Sequence, residues 1–315
     1  MSVISMGEIF ALSAALTFAG SNVIFRLVEK YYSPSQINLI RTSIGWVTFF
    51  FIIVVMRQEL PLMLDILSDN IIIFILIISA LFGQAIGDTA YFASQKLIGV
   101  SKALPLALTY PLFTAILNFF LGNTLSSATI IGFVFIFTGV FLYSQGEKIE
   151  DPLNLVSKDS TKNDISPVLI KGVILALIAA ISMAIGAVLM DFAFKDNRVD
   201  SLMANAIRFL PMIIILFAMH KKIDSKDKNE NFEIDLGINR SRILIIIGSV
   251  IGTSLGAIFF LEGIALLGSA KASVLTSTSP VFGTPLAMIV LKEKVDIKII
   301  LGISSIMLGI FIVII

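Results

Sequence analysis

The chain has 315 residues, of which 57% are hydrophobic and only 14% charged, with a mean hydropathy of +0.97 and a formal net charge of +1. A soluble surface needs about a quarter of charged residues, so the composition excludes an ordinary soluble domain and places the chain in a bilayer. A net charge near zero argues against a nucleic-acid partner, which would demand a basic face, and the lack of cysteine excludes disulfides, thiol chemistry and Cys-based metal sites.

Apolar runs of roughly 17 to 25 residues span a hydrocarbon core, and ten such runs follow one another. The first, near Ile4 to Leu27, carries Asn22; no Lys or Arg precedes it, so it reads as a structural span rather than a removable signal. The second, Ile37 to Met56, holds Arg41 and the sole tryptophan, Trp46. The third, Ile71 to Leu97, places Gln84, Asp88, Tyr91 and Gln95 at helical spacing on one face, beside Gly83 and Gly87. The fourth, Ala103 to Leu121, contains Pro105, Thr109, Tyr110, Pro111 and Asn118, and the fifth runs from Ala128 to Ser144. A polar linker, residues 146–166, then separates residues 1–145 from residues 167–315.

The sixth span, Val168 to Phe194, carries Asp191; the seventh, Leu202 to Met219, carries Arg208 and ends at the lone histidine, His220, an interfacial residue. The eighth, Ile243 to Leu267, has Gly248, Gly252 and Gly256, a small-xxx-small stripe for close packing, together with Glu262. The ninth, Ala272 to Leu291, runs Ser273, Thr276, Ser277, Thr278, Ser279 into Pro280 and later Pro285, and the tenth is Ile297 to Ile315. Hydroxyls ahead of a proline either bond back to the carbonyls it frees or contact substrate.

The two parts are one module written twice. Gly83, Gly87, Leu97, Gly99, Lys102, Ala103, Leu106, Thr109, Pro111 and Phe113 each have an identical partner 169 positions later, from Gly252 to Phe282. Asn38, Ile40 and Arg41 recur at a spacing of 167, and Gly132, Ile136 and Gly139 at 170. Internal duplication governs the fold: a unit of five helices crosses the membrane an odd number of times, so its second copy enters from the opposite face. The expected fold is an all-α membrane protein of ten transmembrane helices in two inverted five-helix repeats. That is the architecture of secondary transporters, which bind substrate near the midplane between the copies. Prolines at matching places in the fourth and ninth spans point to a substrate path.

Polar groups inside lipid face the protein interior or a wet cavity. Asp88 and Arg41 lie at comparable depth, and an ion pair keeps both charged. Asp88 has Ala257 as its counterpart, whereas Arg208 is retained and is expected to meet Asp191 or Glu262. The candidates for substrate contact or coupling are Asp88, Arg41, Gln84, Tyr91, Thr109, Tyr110, Arg208, Glu262 and Thr278.

Ten spans in two copies, the pairs Ile40–Arg41 and Ile207–Arg208, the junctions Gly99 to Lys102 and Gly268 to Lys271, Pro111 and Pro280, and Leu291 to Glu293 followed by Gly302 and Gly309 together resemble the EamA-type branch of the drug/metabolite transporter superfamily. The first copy departs from that pattern with Asn123 where the second has Glu293. The resemblance implies a carrier; the family includes exporters of amino acids and other small metabolites, and related carriers of sugar phosphates and nucleotide sugars.

The resulting expectation is a secondary transporter in the cell membrane, moving an amino-acid-like or other small polar or amphipathic solute by alternating access, with protons coupled through Asp88. The sequence has no GxxxxGK[ST] run for ATP. Expected partners are a small-molecule substrate and membrane lipids, with no nucleic acid, cofactor or metal, and the chain acts as a monomer or homodimer. The alternatives are a flippase for a lipid-linked precursor and an intramembrane enzyme pairing Asp88 with Asp191 or Glu262. Orientation carries two opposed signals: 17 Lys and Arg on the odd-numbered connections place both termini outside by the positive-inside rule, whereas the resemblance implies termini inside.

Overall fold

The computed structural model describes residues 4–28, 31–56, 64–98, 103, 106–124, 127–145, 167–195, 199–223, 237–291 and 297–314. Gly99, Lys102, Pro105, Glu293, the linker 146–166 and the side chain of His220 lie outside the described residues. The protein is all-helical over the described elements. These are α1 (Met6–Val28), α2 (Pro34–Met56), α3 (residues 70–98), α4 (Tyr110–Phe120), α5 (Ser127–Gln145), α6 (Pro167–Phe194), α7 (Ser201–Ile223), α8 (Ile238–Leu267), α9 (Ser269–Thr276), α10 (Ser279–Leu291) and α11 (Ile297–Ile314). Six helices, α1, α2, α3, α6, α7 and α8, are long and apolar enough to cross a membrane. The other expected spans contain shorter apolar helices at Tyr110–Phe120, Ser127–Gly139 and Ile300–Gly309, and the ninth is split into α9 and α10.

The split has a local cause that repeats. Before Pro111 and before Pro280 the helix gives way to a turn at residues 108–109 and 277–278, 169 positions apart. The same two tight hydrogen bonds hold each turn, Thr109 N to Leu106 O with Leu112 N to Thr109 O, and Thr278 N to Leu275 O with Val281 N to Thr278 O. Proline lacks the N–H that would continue the ladder, and each threonine hydroxyl reinforces its turn by bonding back to the carbonyl three residues earlier: Thr109 donates to Leu106 O at 2.7 Å and Thr278 to Leu275 O at 2.6 Å.

A second matched irregularity lies in α3 and α8. Leu81–Asp88 and Ser249–Gly256 wind as π-helix within otherwise α-helical spans. Both segments contain the duplicated glycine pair, and each widened turn lies against the first helix of the opposite copy. Gly252 meets Ser21 of α1 while Gly83 meets Gly186 of α6; Gly256 meets Phe18 while Gly87 meets Met183; Gly7 meets Leu267 while Gly172 meets Ile98. These are the same three contacts made twice, provided α1 and α6 are matched at a spacing of 165. At that spacing the fully buried faces coincide: Ala11, Ala14, Ala15 and Ala19 on α1, and Ala176, Ala179, Ala180 and Ala184 on α6. Alanine and glycine let backbones approach where lipid offers no hydrophobic drive for association.

Helix α2 packs on α7, and α5 on α11. In the latter pair Gly139 faces the Gly302 carbonyl and Ile306, and Gly309 faces the Gly132 carbonyl and Ile136. Ascending from 132 to 139 on α5 meets 309 descending to 302 on α11, so the two helices run antiparallel and their contact is reciprocal, as a two-fold axis across the pair requires. Outward faces are apolar, with Phe51, Phe74, Ile214 and Ile289 exposed, as lipid contact demands.

Candidate functional site

The centre between the copies is polar. Arg41 on α2 and Asp88, at the end of the π segment of α3, form the expected ion pair. Arg41 is held on two further sides: its Nε donates to Asn38 Oδ1 at 3.0 Å, and the guanidinium lies 5.2 Å from the Phe92 ring centroid. Asn38 reaches on to Thr89. A pair withdrawn from water repays desolvation only when its remaining hydrogen-bonding capacity is met, and this partly buried one is well provided.

The partner expected for Arg208 is wrong. Asp191 accepts the backbone N–H of Ser269 at 3.1 Å and its hydroxyl at 2.9 Å, and Glu262 accepts from Ser201. Arg208 sits deeper than either: the helix N-terminus of α7 holds Ser201 over Glu262, while Arg208, two turns farther in, faces the glycine crossing of α3 and α6, with Nη2 3.9 Å from where a Cβ on Gly83 would stand. The charge that reaches it is that of Asp88. Several buried polar atoms here have no hydrogen-bond partner: Gln84 Oε1, both side-chain atoms of Asn205, Arg208 Nε, Thr253 Oγ1, Ser254 Oγ and Ser273 Oγ. Gln84 and Thr253 are equivalents at the 169 spacing. Buried polar groups are otherwise almost always satisfied, so each of these atoms is a position at which water or a ligand can complete the hydrogen bonding.

The other candidates divide. Thr109 and Thr278 use their hydroxyls on their own backbones. Tyr110 crosses between copies, its hydroxyl donating to Ser273 O at 3.1 Å. Tyr91 is buried in the apolar contact of α3 with α6, beside Phe92 and Ala179. No hydrogen bond joins any two of Asp88, Asp191 and Glu262, which the paired-carboxylate alternative needs.

One feature escapes sequence reasoning altogether. Where α1 begins, α6 and α8 end and α9 begins, Lys271 donates to Glu8 at 2.7 Å. Nearby, Asn123 donates to Asn118 Oδ1, Asn118 Nδ2 to Ser269 Oγ at 2.9 Å, and Ser269 to Asp191. Glu8 is also tied by a reciprocal cap with Ser5. Together with Ser201 and Glu262 these bonds seal the face that bears the N-terminus. The available signal was the S-x-x-E pattern at Ser5 to Glu8, which only marks a helix start. Two recesses, one lined by Thr109, Pro111, Phe133 and Val274 and the other by Asn118, Asn123, Asp191 and Lys195, each hold no more than about one water molecule.

An EamA-like transporter family model matches residues 5–145 and again residues 170–315. The chain belongs to the EamA-like transporter family. Two matches in one chain make it a two-repeat member, and membership places it in the drug/metabolite transporter superfamily and makes it a multi-pass integral membrane protein and a membrane transporter. A protein of Archaeoglobus fulgidus named as an uncharacterized transporter is 28% identical over 304 residues, covering 96% of this chain and 95% of that one. A solved crystal structure is similar in fold with a TM-score of 0.73 at 14% identity, covering 98% of this chain and 96% of the other.

Neutralising the seal is expected to open that face. In a Ser273→Cys background, where the chain has no other cysteine, Lys271→Met should increase labelling by a membrane-impermeant maleimide from the N-terminal side by about tenfold, the scale of one lost charge-assisted bond. Unchanged labelling would show that the ion pair does not hold the face shut.

Proposed function

We propose that this EamA-like transporter is a ten-span secondary carrier of two inverted five-helix copies. It moves a small polar or amphipathic solute, amino-acid-like in size, across the cell membrane by alternating access. The observation that carries the proposal is the matched pair of broken and π-wound helices, with unpaired buried oxygens at the equivalent positions Gln84 and Thr253. Irregular backbone inside a membrane is tolerated where it is buried in protein or lines a cavity, and interruptions at equivalent places in two copies point to the substrate site of an inverted-repeat carrier. The antiparallel, reciprocal packing of α5 and α11 supports inversion, and the seal on the N-terminal face supports a gate there. Asp88, the acid within electrostatic reach of both Arg41 and Arg208, is the coupling residue of this scheme.

The test is counterflow in proteoliposomes loaded with pooled amino acids, nucleosides, sugars or sugar phosphates. The carrier reading expects labelled solute from one pool to accumulate transiently and saturably against its unlabelled counterpart. Scrambling of labelled lipid with no counterflow from any pool would replace it with the flippase alternative.

A further inference from the structure

The two copies carry the same Asn-x-x-Arg quartet and complete it differently. In the first copy, Asn38 and Arg41 are closed: Asn38 Oδ1 accepts from Arg41 Nε, Asp88 takes the guanidinium, Thr89 bonds to Asn38, and Phe92 lies under the charge. In the second copy the quartet is Asn205 and Arg208, but Ala257, Ile258 and Leu261 stand where the first copy has Asp88, Thr89 and Phe92. Ala257 and Ile258 pack into an apolar cluster with Phe49 and Phe209. Asn205 Oδ1, Asn205 Nδ2 and Arg208 Nε are therefore all buried without a partner. Asn205 is fully buried and Arg208 is 7% exposed.

An arginine buried in a membrane core needs an anion, because removing a charge from water without a partner is among the most unfavourable events in a folded protein. Asp88 is already bonded to Arg41, so Arg41, Asp88 and Arg208 leave one positive charge uncompensated. We infer that Asn205 and Arg208 form a binding site for the carboxylate of the transported solute, which takes in the second copy the place that the Asp88 carboxylate holds in the first. The guanidinium offers a planar fork that matches a carboxylate, and Asn205 supplies both a donor and an acceptor beside it. A neutral analogue leaves the arginine unpaired and is rejected far more strongly than a change of size in an apolar pocket would allow. The inference rests on the carrier reading for the word solute; the binding chemistry stands apart from it.

The experiment uses the full chain in detergent and in proteoliposomes. Thermal unfolding and counterflow are measured with amino acids and 2-oxo acids, each against its amide and methyl ester, and with inorganic phosphate and chloride. Some acids should raise the melting temperature and exchange, with their amides and esters weaker by about 100-fold or more, and Arg208→Gln should remove the acid-dependent shift. A second variant covers poor folding of the first: Ala257→Asp gives Arg208 an internal carboxylate, and is expected to raise the melting temperature of the solute-free protein while abolishing both the acid-dependent shift and acid exchange. Equal response to acids and amides, a full acid response in Ala257→Asp, or stabilisation by chloride or phosphate alone would each overturn the inference. Stabilisation by acids through Arg208 with no exchange of any solute would uphold the site and remove the carrier reading instead.

Discussion

Asp88→Asn is expected to lower stability by about 1–3 kcal/mol, because it leaves the charge of the partly buried Arg41 without its partner. The loss follows from geometry: Arg41 would keep its charge, its bond to Asn38 and its place over Phe92, but no carboxylate would remain within reach of either central arginine. The double variant Arg41→Gln with Asp88→Asn removes both charges of the pair and should regain most of that stability, which chemical denaturation in detergent can follow as a double-mutant cycle. The double variant also separates folding from coupling. If Asp88 carries the proton, the refolded double variant exchanges solute across the membrane yet fails to accumulate it against a gradient, because a neutral amide cannot cycle charge. Uphill accumulation by the double variant would remove Asp88 from the coupling step.

Gly139→Ala and Gly309→Ala should each destabilise the protein by about 1–3 kcal/mol, the range for overpacking a close contact, and by similar amounts. A Cβ on Gly139 would stand 2.5 Å from the Gly302 carbonyl oxygen and 2.7 Å from the Ile306 nitrogen; one on Gly309 would stand 2.7 Å from the Gly132 carbonyl oxygen and 2.9 Å from the Ile136 nitrogen. Backbone atoms, unlike side-chain ends, cannot turn aside. Gly20 is the control, since a Cβ there meets nothing within 4 Å. Gly20→Ala should be neutral or stabilising by up to about 1 kcal/mol from helix propensity. Thermal unfolding of the three purified variants checks all of this, and a large difference between Gly139→Ala and Gly309→Ala would contradict the reciprocal contact.

The duplication was legible because glycine and proline are fixed by backbone geometry, so Gly83, Gly87 and Pro111 survive in register while apolar neighbours drift. The match of α1 to α6 rests on small residues such as Ala11, Ala14, Ala15 and Ala19, a type common in any membrane helix. The contacts of Gly7 with Leu267 and of Gly172 with Ile98, together with the two glycine crossings of α1 and α6, fix the 165 spacing. The π segments were equally invisible: a widened turn is set by how Gly83 and Gly252 cross another helix, and no local residue type demands it. Among the candidate residues, the Arg41–Asp88 pair was readable from depth along two antiparallel helices. Arg208 misled because depth along a helix says nothing of which acids are already engaged, and Ser269 and Ser201 had taken Asp191 and Glu262.

In the proposed cycle the two copies open the same buried site to opposite sides in turn. Gln84 and Thr253 are the equivalent positions that report on it, each with a buried, unpaired oxygen. Single-cysteine variants Gln84→Cys and Thr253→Cys, in sealed vesicles of known orientation, are labelled with an impermeant maleimide from either side, with and without Lys271→Met to release the N-terminal seal. The account predicts that releasing the seal raises labelling from the N-terminal side and lowers it from the other side at both positions. Labelling that rises from both sides together would describe an open pore and contradict alternating access.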